Sequence, residues 1–299
     1  MIDFSKIKTY SIKERQNKFS IRDIIAIDNE NAIDEPDIEK IANAVIESRR
    51  KVGKVIIMLG GAVVKVGCSA LLIDLMEKGF IDHVAVNGAV SIHDFEIAMI
   101  GATSEDVERG LEDGVFGMVE ETGFFINEAI KEGHDKKLGY GLAVGNKIKE
   151  LDLPHKDVSI LYNAARLKIP LTVHVAIGGD IIHQHPTCDG AALGSTSYYD
   201  FKLLTESVSH LKGGALLNFG SAVNLPEVFL KALTIVRNLK YDVRNFTTAN
   251  FDFFDMYRPR TRLLEWPKKL GCQSFDIRAN HTVSIPTLHK QILLKSRGL

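Results

Sequence analysis

Leu59-Gly60-Gly61-Ala62-Val63-Val64-Lys65-Val66-Gly67 and its echo Asn87-Gly88-Ala89-Val90-Ser91-Ile92-His93-Asp94-Phe95-Glu96 decide the fold of this chain. Each follows a short apolar run of strand length and opens into a segment with helical spacing. Open α/β sheets present backbone N–H groups and side chains in this way at the carboxyl ends of their strands. Working outward, Lys54 to Leu59 reads as a buried strand and Val66 to Lys78 as a helix stopped by Gly79. His83 to Val86 reads as a second strand, which completes the spacing of a βαβ unit.

Upstream, residues 1–36 form a largely polar arm closed by Asp34-Glu35-Pro36, expected to wrap another part of the fold or a neighbouring subunit. A helix from an Asp37 cap to about Arg49 follows, with Ile38, Ile41, Ala42, Val45 and Ile46 on one face. Downstream, the spacing predicts a helix over His93 to Ile100 and an acidic, glycine-punctuated surface excursion over Gly101 to Gly117. Further helices are expected within Met118 to Lys131, Leu142 to Leu151 and Val158 to Arg166, and Leu171 to Ile177 is expected as a third central strand. A polar loop then carries Asp180, His183, His185 and Asp189. Helix over Ser197 to Ser209, strand over Ala215 to Phe219, the turn Gly220-Ser221-Ala222 and helix over Leu225 to Leu239 come next. A strand from Tyr241 to Thr247 should end in Thr248-Ala249-Asn250, followed by a loop around Tyr257-Arg258-Pro259-Arg260 and a last helix within Thr287 to Lys295. The sum is an α/β chain with an open sheet, organised as the arm (1–36) and one domain (37–299).

Composition narrows the partners. With 299 residues, 45% of them hydrophobic, the chain can bury a sizeable core. A formal net charge of −1, without a long lysine and arginine run, argues against nucleic acid and against a membrane surface. The longest apolar run, Val55 to Val64, falls far short of the roughly 20 residues of a membrane helix. Met1 to Phe19 lacks the apolar centre of a signal peptide, and Cys68, Cys188 and Cys272 form no CxxC pair, as expected of a reduced cytoplasmic protein. Small-molecule chemistry is the favoured class.

Three strand-to-helix junctions carry small residues: Gly60-Gly61-Ala62, Asn87-Gly88-Ala89 and Gly220-Ser221-Ala222. Such turns let a ligand approach the backbone, and helix amino termini favour phosphate groups, so a dinucleotide fits them. None is the G-x-G-x-x-G fingerprint, and glycines that only allow tight turns and close helix packing would look the same.

Gly60 to Gly67, then Lys78-Gly79-Phe80-Ile81-Asp82, then Ala89 to Glu96 with its His-Asp-x-Glu run, resemble the NAD-binding domain of the NAD-dependent ornithine cyclodeaminases fused to arginine dihydrolases. The wider frame over residues 50–255, with the Gly220 turn and Thr247-Thr248-Ala249, looks like deoxyhypusine synthase. The resemblance implies a Rossmann-related α/β fold, a doubly wound, mostly parallel sheet with helices on both faces, and NAD as cofactor, held at Gly60, Gly61, Ala62, Asn87, Gly88, Gly220, Ser221 and Thr248. It also implies homo-oligomeric assembly, often as a tetramer. Two departures stand out. Val223-Asn224-Leu225-Pro226-Glu227 replaces a glycine-rich turn followed by Lys and His, and the tail Ser284-Ile285-Pro286-Thr287-Leu288-His289-Lys290 lacks the Trp-Gly-Lys nucleophile motif.

In both resembling families NAD takes hydride from an amine-bearing carbon, so a base and a carboxylate for the substrate cation are needed. His93 with Glu96 or Asp94 could supply them, and residues 93 and 96 share a helical face. A helix cap with two dipole-complementing carboxylates is the plainer alternative. Asp180, His183, His185 and Asp189 are candidates for binding the substrate. His183 and His185, with His174 or Cys188, could also meet a metal, but the spacing is weakly specific and no metal is assigned. The expected activity is NAD-dependent conversion of a small amine, amino acid or polyamine through hydride abstraction to an imine. The alternatives are an aminobutyl transferase of the deoxyhypusine synthase kind and a non-catalytic NAD-binding protein. Lys290 should face outward from a packed terminal helix.

Overall fold

The computed structural model describes residues 2–51 and 53–297. Its centre is a six-stranded sheet of Val55–Leu59 (β1), His83–Asn87 (β2), Leu171–His174 (β3), Ala215–Phe219 (β4), Thr247–Asp252 (β5) and Gln273–Arg278 (β6). All neighbours are parallel and the order is β3-β2-β1-β4-β5-β6. The chain lays β1, β2 and β3 outward, then returns to place β4 against the other side of β1. That reversal is the topological switch beside which doubly wound sheets bind their ligands, at the carboxyl ends of the strands.

Helices cover both faces, as crossovers between parallel strands require. They are Pro36–Lys51 (α1), Gly61–Lys65 (α2), Ser69–Glu77 (α3), Gly88–Ile100 (α4), Val107–Glu112 (α5), Glu120–Asp135 (α6), Tyr140–Glu150 (α7), Ile160–Leu167 (α8), Gly190–Ser209 (α9), Asn224–Asn238 (α10) and His281–Lys295 (α11). Ile57, Leu59, Val84, Val86, Leu217, Phe219 and Phe251 face the layer that includes α1, α3, α4 and α11, while Ile56, Met58, Ala85 and Leu216 face α9 and α10. Pro36 opens α1 in the position where its missing N–H is no loss, and Arg49, Arg50 and Lys51 complement the dipole at its end. Among the described residues no helix is long and apolar enough to cross a membrane.

The arm wraps its own chain. Tyr10 exchanges backbone hydrogen bonds with Met118 and Glu120, Ser11 and Ile12 both donate to the Glu121 carboxylate, and Phe19–Ser20 pairs antiparallel with Ala102–Thr103. Ile25 donates to the Gly67 carbonyl, and Gly67 has a φ of 80°, where a side chain would strike the Asp23 carbonyl. The helix expected over Val66 to Lys78 therefore starts only at Ser69, as α3, and the short α2 precedes the break.

Three strand expectations change. Leu171–His174 is an edge strand, not a central one; its free edge is satisfied by α9, because Val173 N–H donates to Asp200 and Ser197 donates to the Val173 carbonyl. The strand expected from Tyr241 starts only at Thr247, since Lys240 and Asn245 sit at positive φ (71° and 53°) and break the extended path. Gln273–Arg278 is a strand the hydrophobic pattern did not predict, being an edge strand with mostly solvent-reaching side chains. The last helix also starts earlier, at His281, and runs through Pro286.

Candidate functional site

The carboxyl edge brings Gly60 and Gly220 together at the switch. A Cβ on Gly60 would run into the Gly220 carbonyl, and Gly220 itself has a φ of 67° with His281 Nε2 2.6 Å from where its Cβ would stand. These two glycines serve close backbone approach and a left-handed turn. Gly61 is less constrained: a Cβ there would press on Ala89 at 3.1 Å and touch His93 at 3.5 Å. Asn87 caps α4 by accepting from the Val90 N–H at 3.2 Å, and Gly88 packs against the Asp180 carboxylate. Around the Gly220 turn, Asn218 Oδ1 and His281 Nδ1 are buried without a hydrogen-bond partner among the described residues. Two unpaired polar atoms beside a turn at the switch point are what a bound polar ligand would satisfy.

Beside α4 lies a cavity of about 240 Å³, lined by Arg15, Lys65, His93, Glu96, Glu105 and Asp180 among others. Glu96 is 1% exposed and gripped at both oxygens by the Arg15 guanidinium, at 2.7 and 2.9 Å. Thr122 donates to one oxygen at 2.8 Å and Thr103 to the other at 2.5 Å. The Thr103 hydroxyl also meets His93 Nδ1 at 2.8 Å. A carboxylate only accepts, so the single Thr103 proton goes to Glu96, and His93 Nδ1–H must donate to Thr103. The nitrogen left for the cavity is Nε2, as an acceptor. Burial holds His93 neutral, pushing its pKa down to about 4 with help from Lys65 and Arg15, against the opposing pull of Glu96. His93 and Glu96 thus act together, through Thr103 and not by direct contact, and Glu96 has no oxygen spare for a substrate cation.

Asp180 and His183 form a second pair. His183 Nδ1 accepts from the Gly178 and Asp180 N–H groups at 3.1 and 3.3 Å, so its proton sits on Nε2. That donor stands 3.8 Å from Asp180 Oδ2, too far for a hydrogen bond, and neither atom has another partner among the described residues. Burial raises the Asp180 carboxyl to about 6. An unpaired acceptor and an unpaired donor side by side can recognise a group that offers both a donor and an acceptor.

The other expected site residues lie elsewhere. Asp94 turns away from the cavity and caps α8, accepting from the Ile160 and Leu161 N–H groups at 2.7 and 3.1 Å and from Ser159. Asp189 caps α9 through the Ala191 and Ala192 N–H groups. His185 bonds the Gly117 carbonyl at 2.7 Å. Ser221 accepts from the Leu225 N–H at 3.3 Å, at the start of α10. Thr248, bonded to Ser274 at 3.0 Å, lies near the amino end of β5, away from the carboxyl edge. Conversely, Arg15, Thr103 and His281 carried no signal in spacing: the first sits in the arm, the second in the acidic excursion and the third ahead of the expected last helix.

Known proteins share this architecture. Residues 39–137 match the Rossmann-fold C-terminal domain of ArgZ-like arginine dihydrolases. An ornithine cyclodeaminase of Methanothermobacter thermautotrophicus is 31% identical over 74 residues, 24% of this chain and 18% of that protein. AgrE, solved in a ternary complex with ornithine and NAD+, superposes with a TM-score of 0.57 at 14% identity, over 87% of this chain and 33% of its own. An Entamoeba histolytica protein assigned as a deoxyhypusine synthase gives a TM-score of 0.52 at 10% identity, over 87% of this chain and 88% of its own. The chain therefore spans about a third of AgrE and aligns with under a fifth of the cyclodeaminase. The class is a Rossmann-ordered, doubly wound α/β protein. Within that class the chain is similar both to the ArgZ-like domain and to the deoxyhypusine synthase frame, as the motifs implied.

Proposed function

We propose that this chain is an NAD-dependent enzyme that converts an amino acid at the carboxyl edge of its sheet, with residues 37–299 acting as one cofactor-binding domain. One observation carries the reading: a cavity beside α4 holds a neutral His93 with a free Nε2 together with an Asp180 carboxylate that has one oxygen without a partner among the described residues. Gly61, Ala62, Gly88 and Ala89 bring the leading amides of α2 and α4 to that edge, and Asn218 Oδ1 and His281 Nδ1 await partners at the Gly220 turn. The residues fit a dinucleotide. When bound, NAD would supply a hydride acceptor for the amine-bearing carbon.

The chain's own residues do the rest. An α-ammonium group can donate to Asp180 while the adjacent carboxylate accepts from His183 Nε2–H, which fits the 3.8 Å offset of the two atoms. His93 Nε2 then takes a proton from the substrate amine, and Glu96 with Thr103 keeps the ring in the right tautomer. The relatives named for ornithine chemistry support the choice of substrate class. A transferase working through a carrier lysine is less well supported, because Lys290 is exposed on α11 while its neighbour His289 is buried against Asp74. Calorimetric titration of NAD and then L-ornithine tests the reading. Binding of both is expected, with ornithine binding weakened about 10- to 100-fold in Asp180→Asn; no NAD binding, or ornithine binding indifferent to that change, would overturn it.

A further inference from the structure

Arg15 belongs to the arm, outside the segment that matches the ArgZ-like domain, yet its guanidinium is 3% exposed and bidentate on a carboxylate at the cavity wall. Without a partner a buried carboxylate at Glu96 would be unfavourable, and it would draw a proton onto the nearest base. The nearest base is His93, one hydroxyl away. We propose that Arg15 is a positioning residue for His93: by fixing and neutralising Glu96 it commits the Thr103 proton to Glu96 and leaves the histidine with its basic Nε2 toward the cavity. This rests on the role given to His93 above. The arm is thereby part of the site and not merely a strap over it.

The charged groups that face His93 come from every element around it. Glu96 lies on its own helix, Lys65 on α2, Arg15 in the arm, Glu105 after the Ala102–Thr103 ribbon and Asp180 in the loop after β3. Of these, Arg15 is the one held in bidentate contact with Glu96. Loss of its charge should therefore be felt at His93 as the pull of an uncompensated carboxylate. Loss of both charges together should cancel.

Nitrogen-15 NMR of the histidine rings in the full chain reads tautomer and titration without any substrate. Wild type should show His93 as the Nδ1–H tautomer, titrating well below an ordinary histidine. Arg15→Gln should raise that titration by about 1 to 3 pH units, Arg15→Lys by less, and the double variant Arg15→Gln with Glu96→Gln should restore it. Thr103→Val, which keeps the ion pair and removes the acceptor, should release the tautomer. A wild-type Nε2–H tautomer, or an Arg15→Gln protein that is folded and unchanged, would overturn the proposal. If Arg15→Gln does not fold, the double variant and Thr103→Val decide: a raised titration in the first or an unchanged tautomer in the second is contrary. Absence of NAD or ornithine binding would remove the proposed function and leave these ring measurements, and the positioning claim, standing.

Discussion

Glu96 on α4 and Asp180 in the loop after β3 line one cavity, yet the first has both oxygens engaged and the second keeps one oxygen unpaired. The same contrast holds for their histidines: His93 is tied at Nδ1 through Thr103, whereas His183 presents an Nε2–H without a partner among the described residues. The difference separates two jobs. A saturated carboxylate sets the protonation and orientation of its neighbours, and an unsaturated one is left to meet a ligand.

The contrast can be broken from either side. The largest effect is expected at the base: His93→Gln should lower turnover by about 10² to 10⁴, the usual share of a general acid–base group, while NAD affinity is kept. Equal loss of NAD affinity in calorimetry would show that His93 is part of the cofactor cradle instead. Next comes stability. Removing one partner of the buried pair, by Arg15→Gln or Glu96→Gln, should lower unfolding free energy by about 3 to 5 kcal/mol in denaturant titrations, because a charge is left buried alone. Asp180→Asn should leave stability unchanged or raise it, since a buried carboxylate with one oxygen unpartnered is already unfavourable. If the two sites respond alike, the division between saturated and open carboxylates fails.

A smaller effect concerns recognition. Asp180→Asn should raise the KM for the amino acid by about 10- to 100-fold, corresponding to the loss of a hydrogen bond to a charged group of about 1.5–3 kcal/mol. The sign of the pH dependence follows. With its pKa raised by burial to about 6, Asp180 is ionised above that pH and becomes protonated as pH falls through it, so kcat/KM should fall below pH 6. The His93 limb, near 4, lies further down. An acid limb that survives unchanged in Asp180→Asn would assign it to another group.

Much of the frame was legible in the chain. The apolar runs at Val55 and Ala215 and the helical spacing of α1 and α10 are local properties, and local patterns survive into the fold. Edges were not: Leu171–His174 looks central because α9 buries it, and Gln273–Arg278 looks like a loop because its side chains reach solvent. The site shows the same divide. His93 and Glu96 share a helical face that spacing reveals, but what they do depends on Arg15, about eighty residues upstream, and on Thr103 in a segment with no pattern. Asp94 and Asp189 are chemically indistinguishable from Asp180 in a sequence. Only their partners tell them apart: backbone amides engage the first two, while the third keeps one oxygen without a partner among the described residues.

The most direct measurement of the central claim is ammonium release from L-ornithine by the purified chain with and without NAD, in wild type, His93→Gln and Asp180→Asn. Release that requires NAD, falls by orders of magnitude in His93→Gln and is recovered at high ornithine in Asp180→Asn is the expected result. NAD-dependent release that is unaffected by either substitution, or no release from a wild-type protein that binds both NAD and ornithine, would contradict the assignment of catalysis to this cavity.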